Sequence, residues 1–447
     1  MNEPIFIARQ DTLEQEILPA HWLSQYKLFG EESYTFQDKE IWKKLCMSRA
    51  AANDRDMHAE ALEEMLTTFS AEHTGKWMLT VYGMDAAVLE GLTSMAAIAA
   101  NGTAMAAVVG NALLMHAIAN SETAMQAISR SQTAMQRIAN SATAMDAISG
   151  RKIARDAVQA SPYYNSYIKE NSMAIAKLAV GFANLASAGY SGMAGVAADA
   201  TAMNAVAASS TAMNAVAASA VARNAISASP YYDAKIKEND MAIAKLVVGF
   251  ANLESARYSG CAGMAADSTA MTAVAASSTA MTAVAASSTA MTAVAASSTA
   301  MTAVAASGVA LKAIAQAYKK TANMLQFLKA VNASDTLVKR IYSTLTNATA
   351  LFGATQLGSQ DGVESANSWA TTSAAPNAFL ACACGYYDSS RSSVNVTYNG
   401  TVIAQNKTGA KQPGSVTSTN VNAITMAPST FTENGDGWLA VQKFTAK

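Results

Sequence analysis

What is scarce in this chain of 447 residues does most to narrow its function. Its four histidines, His21, His58, His73 and His116, all lie near the N-terminus. The rest of the chain therefore holds neither a Ser/His/Asp triad nor a histidine-based metal site. Four cysteines, Cys46, Cys261, Cys382 and Cys384, are too few to frame so long a chain with disulfides. Cys382-Ala383-Cys384 sets two thiols on one strand face, but no His or further Cys lies near in sequence, so small buried hydrophobes are expected. Charge is sparse as well. The 31 basic and 32 acidic residues form no blocks of either sign, which argues against nucleic-acid binding through a basic face. Leu, Phe and Trp are thin in the middle of the chain, where Ala, Ser, Thr and Met dominate. Burial per residue is therefore shallow and spread along the chain, which suits an elongated body.

Residues 91–121 and 268–311 carry no Asp, Glu, Lys or Arg. Length alone would flag them as membrane spans. Their apolar content is mostly Ala, with Ser or Thr every few positions, whereas spans are rich in Leu, Ile, Phe and Val. No membrane insertion is expected. Met1-Asn2-Glu3-Pro4 lacks a basic segment followed by an apolar one, so no secretory signal is expected. Glycoside hydrolysis needs two carboxylates across a sugar. Beyond residue 353 the acids are Asp361, Glu364, Asp388, Glu433 and Asp436, and Glu433-Asn-Gly-Asp436-Gly reads as a turn. Gly192-Met-Ala-Gly195 and Gly260-Cys-Ala-Gly263 lack the Lys of a phosphate-binding loop and point to close backbone packing. No catalytic, cofactor-binding or metal-ligating residue is assigned, and no cofactor is expected.

What fills the middle is repetition. Between residues 268 and 307 the string Ser-Thr-Ala-Met-Thr-Ala-Val-Ala-Ala-Ser occurs four times in succession. Looser copies, with Met followed three residues later by Ile or Val, run from Met95/Ile98 to Met145/Ile148 and from Met193/Val196 to Met213/Val216. Arg155/Val158 and Arg223/Ile226 are degenerate members of the two series. Residues 161–203 match 229–271 at an offset of 68, with 33 of 43 positions identical. Each copy opens Ser-Pro-Tyr-Tyr and contains Met-Ala-Ile-Ala-Lys-Leu, so it reads as a longer helical spacer. Because 68 is not a multiple of ten, each spacer is expected to reset the phase.

Residues three apart face opposite sides of a strand but share a helix face, so the Met and Val of a decad can line one core only on a helix. One continuous helix fails, because ten residues at about 100° each leave the apolar stripe about 80° short of three turns. Each decad is therefore expected to form one helix of about two turns, opened by a Ser, Thr or Asn N-cap. Helices so short must stack on neighbours. With one decad per layer the stack would grow about 8–10 Å per repeat, and deleting residues 278–287 would remove one layer. The structural core is assigned to Met271, Val274, Met281, Val284, Met291, Val294, Met301 and Val304.

The expected fold is mainly α: an elongated, solenoid-like stack of short helices, with an N-terminal helical attachment domain and a small C-terminal β-rich domain. Residues 1–88 form the attachment domain, and 89–315 the decad stack with spacers at 161–192 and 229–260. Residues 316–353 form a helical cap, with helices expected over 309–331 and 335–351, and 354–447 form the β-rich tip. There, Asn399-Gly400 between two alternating segments predicts a type I′ hairpin. Tyr386, Tyr387 and Trp438 are candidate tip contacts.

The pattern Thr-Ala-Met-x-Ala-Val/Ile-Ala-x-Ser, as in Thr201–Ser209 and Thr269–Ser277, resembles alanine-rich repeats in tail-fibre and virion structural proteins of tailed bacteriophages and prophages. The resemblance covers about residues 90–315. It implies a structural fibre subunit in the virion, made in the host cytoplasm and assembled as a homotrimer. It further implies other virion proteins bound at the N-terminus and a host surface glycan or protein at the tip. Two alternatives from other classes are a bacterial surface adhesin or filament subunit, and an ice-binding protein that uses columns of threonine such as Thr269, Thr279, Thr289 and Thr299.

Overall fold

A computed structural model describes residue 92 and residues 95–447, apart from 121, 318–320, 361–367, 372–376, 387–392, 409, 412–415, 428 and 435–436. The attachment domain expected at 1–88, with His21, His58, His73 and Cys46, lies outside the described residues. So do Asp361, Glu364, Tyr387, Asp388 and Asp436. The described chain is mainly helical, with strands confined to its C-terminal part. It divides into two compact units, Met1–Ser229 and Pro230–Lys447.

The perfect decads become the helices Ser268–Ala276, Ser278–Ala286, Ser288–Ala296 and Ser298–Ala305. A single residue sets each junction. Ser277 closes the first helix and caps the second at φ −93° and ψ 116°, extended values that redirect the chain, and these two helices diverge by 102°. Within the first helix Ala270, Met271, Val274 and Ala275 face inward, while Thr272 is exposed.

Helices at such angles cannot lie side by side along their length, and each packs on the helix three places earlier. In the second unit Ser298–Ala305 packs on Ser268–Ala276, and Gly308–Gln316 on Ser278–Ala286. In the first unit Gln132–Ala139 packs on Gly102–Gly110, and Lys152–Gln159 on Glu122–Ser129. A layer therefore holds three decads, not the one expected from the pattern. Three corners bring the chain back over its start, so growth per decad falls to about a third of a helix spacing, roughly 3 Å.

The spacers keep this count. In the first unit the N-caps Ser141 and Asn171 are 30 positions apart, and Asn171 and Ser209 are 38 apart. In the second unit Asn239 to Ser277 is again 38, and Ser277 to Ser307 is 30. Within each unit a plain turn of 30 thus adjoins a long turn of 38, and the count of three helices per turn is kept through the spacer rather than reset. The extra residues lie in a longer helix, Ser172–Phe182, and in the loop 183–192 after it. That helix ends in a Schellman cap: Asn184 has φ 58°, and the Leu185 N–H donates to the Val180 carbonyl at 3.0 Å. Asn252 and Leu253 repeat the motif in the second unit.

The segment expected as one helix over 309–331 is two helices, Gly308–Gln316 and Thr321–Asn332, followed by Asp335–Asn347. The three-step packing continues through them, with Thr321–Asn332 on Ser288–Ala296 and Asp335–Asn347 on Ser298–Ala305. Two sheets cover this last turn. Strands β1 Phe352–Gln360, β2 Ser368–Thr371, β3 Ala378–Tyr386, β4 Ser393–Tyr398, β5 Thr401–Thr408, β6 Ala410–Lys411, β7 Ala423–Met426, β8 Ser429–Asn434 and β9 Gly437–Ala446 form two ladders. One runs β1-β9-β3-β6 with β7 also on β3, and the other β2-β8-β4-β5. Asn399 and Gly400 join β4 to β5 with φ 47° and 75°, both positive as a type I′ turn requires. Buried Asn332 ties helix to sheet by donating to the Ile424 carbonyl at 2.8 Å and accepting its N–H at 3.0 Å. The Tyr342 hydroxyl donates to the Val416 carbonyl at 2.5 Å, and its ring meets Phe444 edge-on at 5.6 Å.

Candidate functional site

All eight assigned core residues, from Met271 to Val304, are buried, the most exposed being Met301 at 2%. They do not form one column. Met271 and Met301 are one turn apart, whereas Met281 and Met291 lie on the helices of the other two sides. The threonines follow the same rule. Thr269, Thr279, Thr289 and Thr299 pass around the corners, and only Thr269 and Thr299 are a turn apart, so no flat lattice-matching row of four arises.

The repeating polar feature is a seam at the corners. The N-cap Ser297 hydroxyl accepts the Ala300 N–H at 3.2 Å and donates to the Ala265 carbonyl, 32 residues back, at 2.6 Å. Ser307 does the same with Ala310 and Ala275, and in the first unit Ser131 and Ser141 with Ala99 and Val109. A helix start carries orphan donors and a helix end orphan acceptors. One hydroxyl at each of these four corners thus satisfies the start of its own helix and the end of a helix one layer below. Asn171 fulfils both roles with two atoms, accepting from Met173 and Ala174 through Oδ1 and donating from Nδ2 to the Ala139 carbonyl at 2.9 Å.

At the spacers the seam turns ionic. Asp199 accepts the N–H groups of Thr201 and Ala202 at 2.7 and 3.0 Å and the Tyr190 hydroxyl at 2.9 Å. Asp267 accepts from Ala270 at 2.9 Å and Tyr258 at 3.0 Å, with Arg257 at 2.9 Å. Here the neighbouring segment offers a donor instead of a carbonyl, so an acceptor-only carboxylate replaces the hydroxyl. Glu170 caps the helix Ala220–Ser227 from fifty residues away, taking the Ala220 and Val221 N–H groups at 3.1 Å. Glu238 does likewise at Ser288 and Thr289, at 3.1 and 3.0 Å. Lys177, 2% exposed, donates to Asp146 at 2.6 Å and to the Ser187 carbonyl at 3.1 Å. Lys245 is fully buried and donates to the Ser255 carbonyl at 3.0 Å, and burial pushes its pKa down. In the Gly-x-x-Gly segments only the first glycine is tightly packed, and against a side chain: a Cβ at Gly260 would collide with Asp240, which accepts the Cys261 N–H at 2.9 Å, whereas Gly263 faces open space. None of these carboxylate caps was singled out from sequence, although Asp at 199 and 267, where Ser recurs elsewhere, was a visible signal.

Candidate chemistry elsewhere is thin. His116 lies 2.9 Å from an Arg151 nitrogen. Among the described residues no group of three His, Cys, Asp or Glu is placed to hold a metal ion. Cys382 and Cys384 are fully buried in β3, where burial pushes the Cys382 thiol up and the Cys384 thiol donates to the Lys407 carbonyl at 3.3 Å. Of the candidate tip contacts, Tyr386 pairs with Gly437 and Gly385 with Trp438 across β3 and β9, so the sheet brings those two backbones together. Tyr387 lies outside the described residues. Among the described residues no single helix is long and apolar enough to cross a membrane. No protein-family model matches the chain, and no curated protein matches it.

Proposed function

We propose that this chain is a structural fibre subunit of a tailed-bacteriophage particle and not an enzyme. In this reading the decads form a solenoid-like shaft, and residues 1–88 dock on other virion proteins. The β domain contacts a host surface glycan or protein, or a further fibre segment, and chains assemble as homotrimers. The observation that carries the reading is the repeating corner. The corners at Ser131, Ser141, Ser297 and Ser307 present the same hydroxyl to their own helix and to the helix below, so such copies extend the stack without altering its chemistry. The test is electron microscopy of the purified full-length protein together with its mass in solution. A slender rod of trimeric mass ending in a knob is the expected result. A compact monomer overturns the fibre reading.

A further inference from the structure

We propose that the two spacer turns are acid-sensitive joints, which open at low pH while the plain decad turns stay closed. The contrast lies in what holds each helix start. In the plain turns it is a neutral hydroxyl, as at Ser277 for Ala280 and Ser297 for Ala300. At the spacers a carboxylate is added: Glu238 and Glu170 reach from distant segments to helix starts that also keep the Ser287 and Ser219 hydroxyl caps, while Asp267 and Asp199 are the N-caps of their own helices. Glu238 takes the N–H and hydroxyl of both Ser288 and Thr289, and Asp267 holds Ala270, Tyr258 and Arg257. In the first unit Glu170 and Asp199 have the same tasks.

Protonating a carboxyl removes its negative charge from a helix N-terminus and turns one acceptor oxygen into a donor facing N–H groups. A serine hydroxyl undergoes no such change. Tyr232 and Cys261 face Glu238, while the helix Ser288–Ala296 has no titratable residue. Glu170 faces Tyr164 and Arg223, Asp199 faces Tyr190, and Asp267 faces Tyr258 and Arg257. Burial opposes ionisation of Glu238, but hydrogen bonds from Ser288 and Thr289 outweigh it and hold its carboxyl below the usual range. Asp267 and Asp199 are held low first by the N–H groups of Ala270 and Ala202. A carboxyl depressed on folding adds stability above its unfolded pKa and loses it as pH falls through the folded value, so the joints loosen below about pH 4.

The test is hydrogen exchange of the full chain, read by fragmentation mass spectrometry and corrected for intrinsic rates, at about pH 7 and about pH 3. Protection at Ser288 and Thr289 is expected to fall roughly tenfold or more, with Ala280 and Ala300 unchanged. Glu238→Gln, which keeps the shape without the charge, should start lower at Ser288 and Thr289 and show no further fall. Ser277→Ala should lower Ala280 equally at both pH values. Equal loss at plain and spacer corners, or unchanged protection at Ser288 and Thr289, overturns the proposal, as does a pH response that survives in Glu238→Gln.

Discussion

A corner serine is asked to be acceptor and donor at once, and this makes its replacement unusually selective. Ser297→Ala leaves the Ala300 N–H and the Ala265 carbonyl without their partner and is expected to destabilise the second unit by about 1–3 kcal/mol. Ser297→Asn should be close to neutral, because Asn171 already spans both roles. Ser297→Asp keeps the N-cap but sets a carboxylate against a carbonyl, and should be worse than Asn despite being an equally good cap in isolation. Denaturant titration of the three variants checks the order. If Asp and Asn proved equivalent, the bond to the layer below would contribute nothing.

At the scale of the element, the turn of three decads changes what a deletion does. The four perfect copies are interchangeable, so removing residues 278–287 leaves every later helix stacked on an identical partner. The chain is expected to fold, but with the β domain shifted by about a third of a helix spacing and turned by one corner, instead of one whole layer lower. Removing 278–307 should restore the orientation and lower the domain by about 8–10 Å. Spin labels at the exposed Glu254 and Val402, both in the second unit, read the difference as a distance. Identical distances after one-decad and three-decad deletions would refute the three-step packing. Much of the element scale was legible. The spacing of Met271 and Val274 demands a helix, Ser277 its cap, and Asn399-Gly400 its hairpin. The closure of three was not legible, because the angle at Ser277 depends on how two helices settle against the layer beneath. Nor were the Glu170 and Glu238 caps, which act across fifty residues where no local pattern reaches.

For the whole molecule, shallow burial per residue is offset by regularity. Small apolar side chains fill each turn, and the bonds between turns recur at fixed separations, so stability in each unit is close to a sum over neighbouring turns. The corner bond between layers also has a mechanical meaning. The Ser307 hydroxyl and the Ala275 carbonyl join adjacent layers, so a pull that draws the layers apart loads one such seam after another. In a single-molecule force experiment the second unit is expected to unravel turn by turn. Each plain turn from Ser277 to Ser307 would release 30 residues, about 100 Å of contour. The spacer turn from Asn239 to Ser277 would release 38, about 130 Å. The stack would then absorb work in many small, refoldable steps and let the chain lengthen under tension before anything in it fails outright.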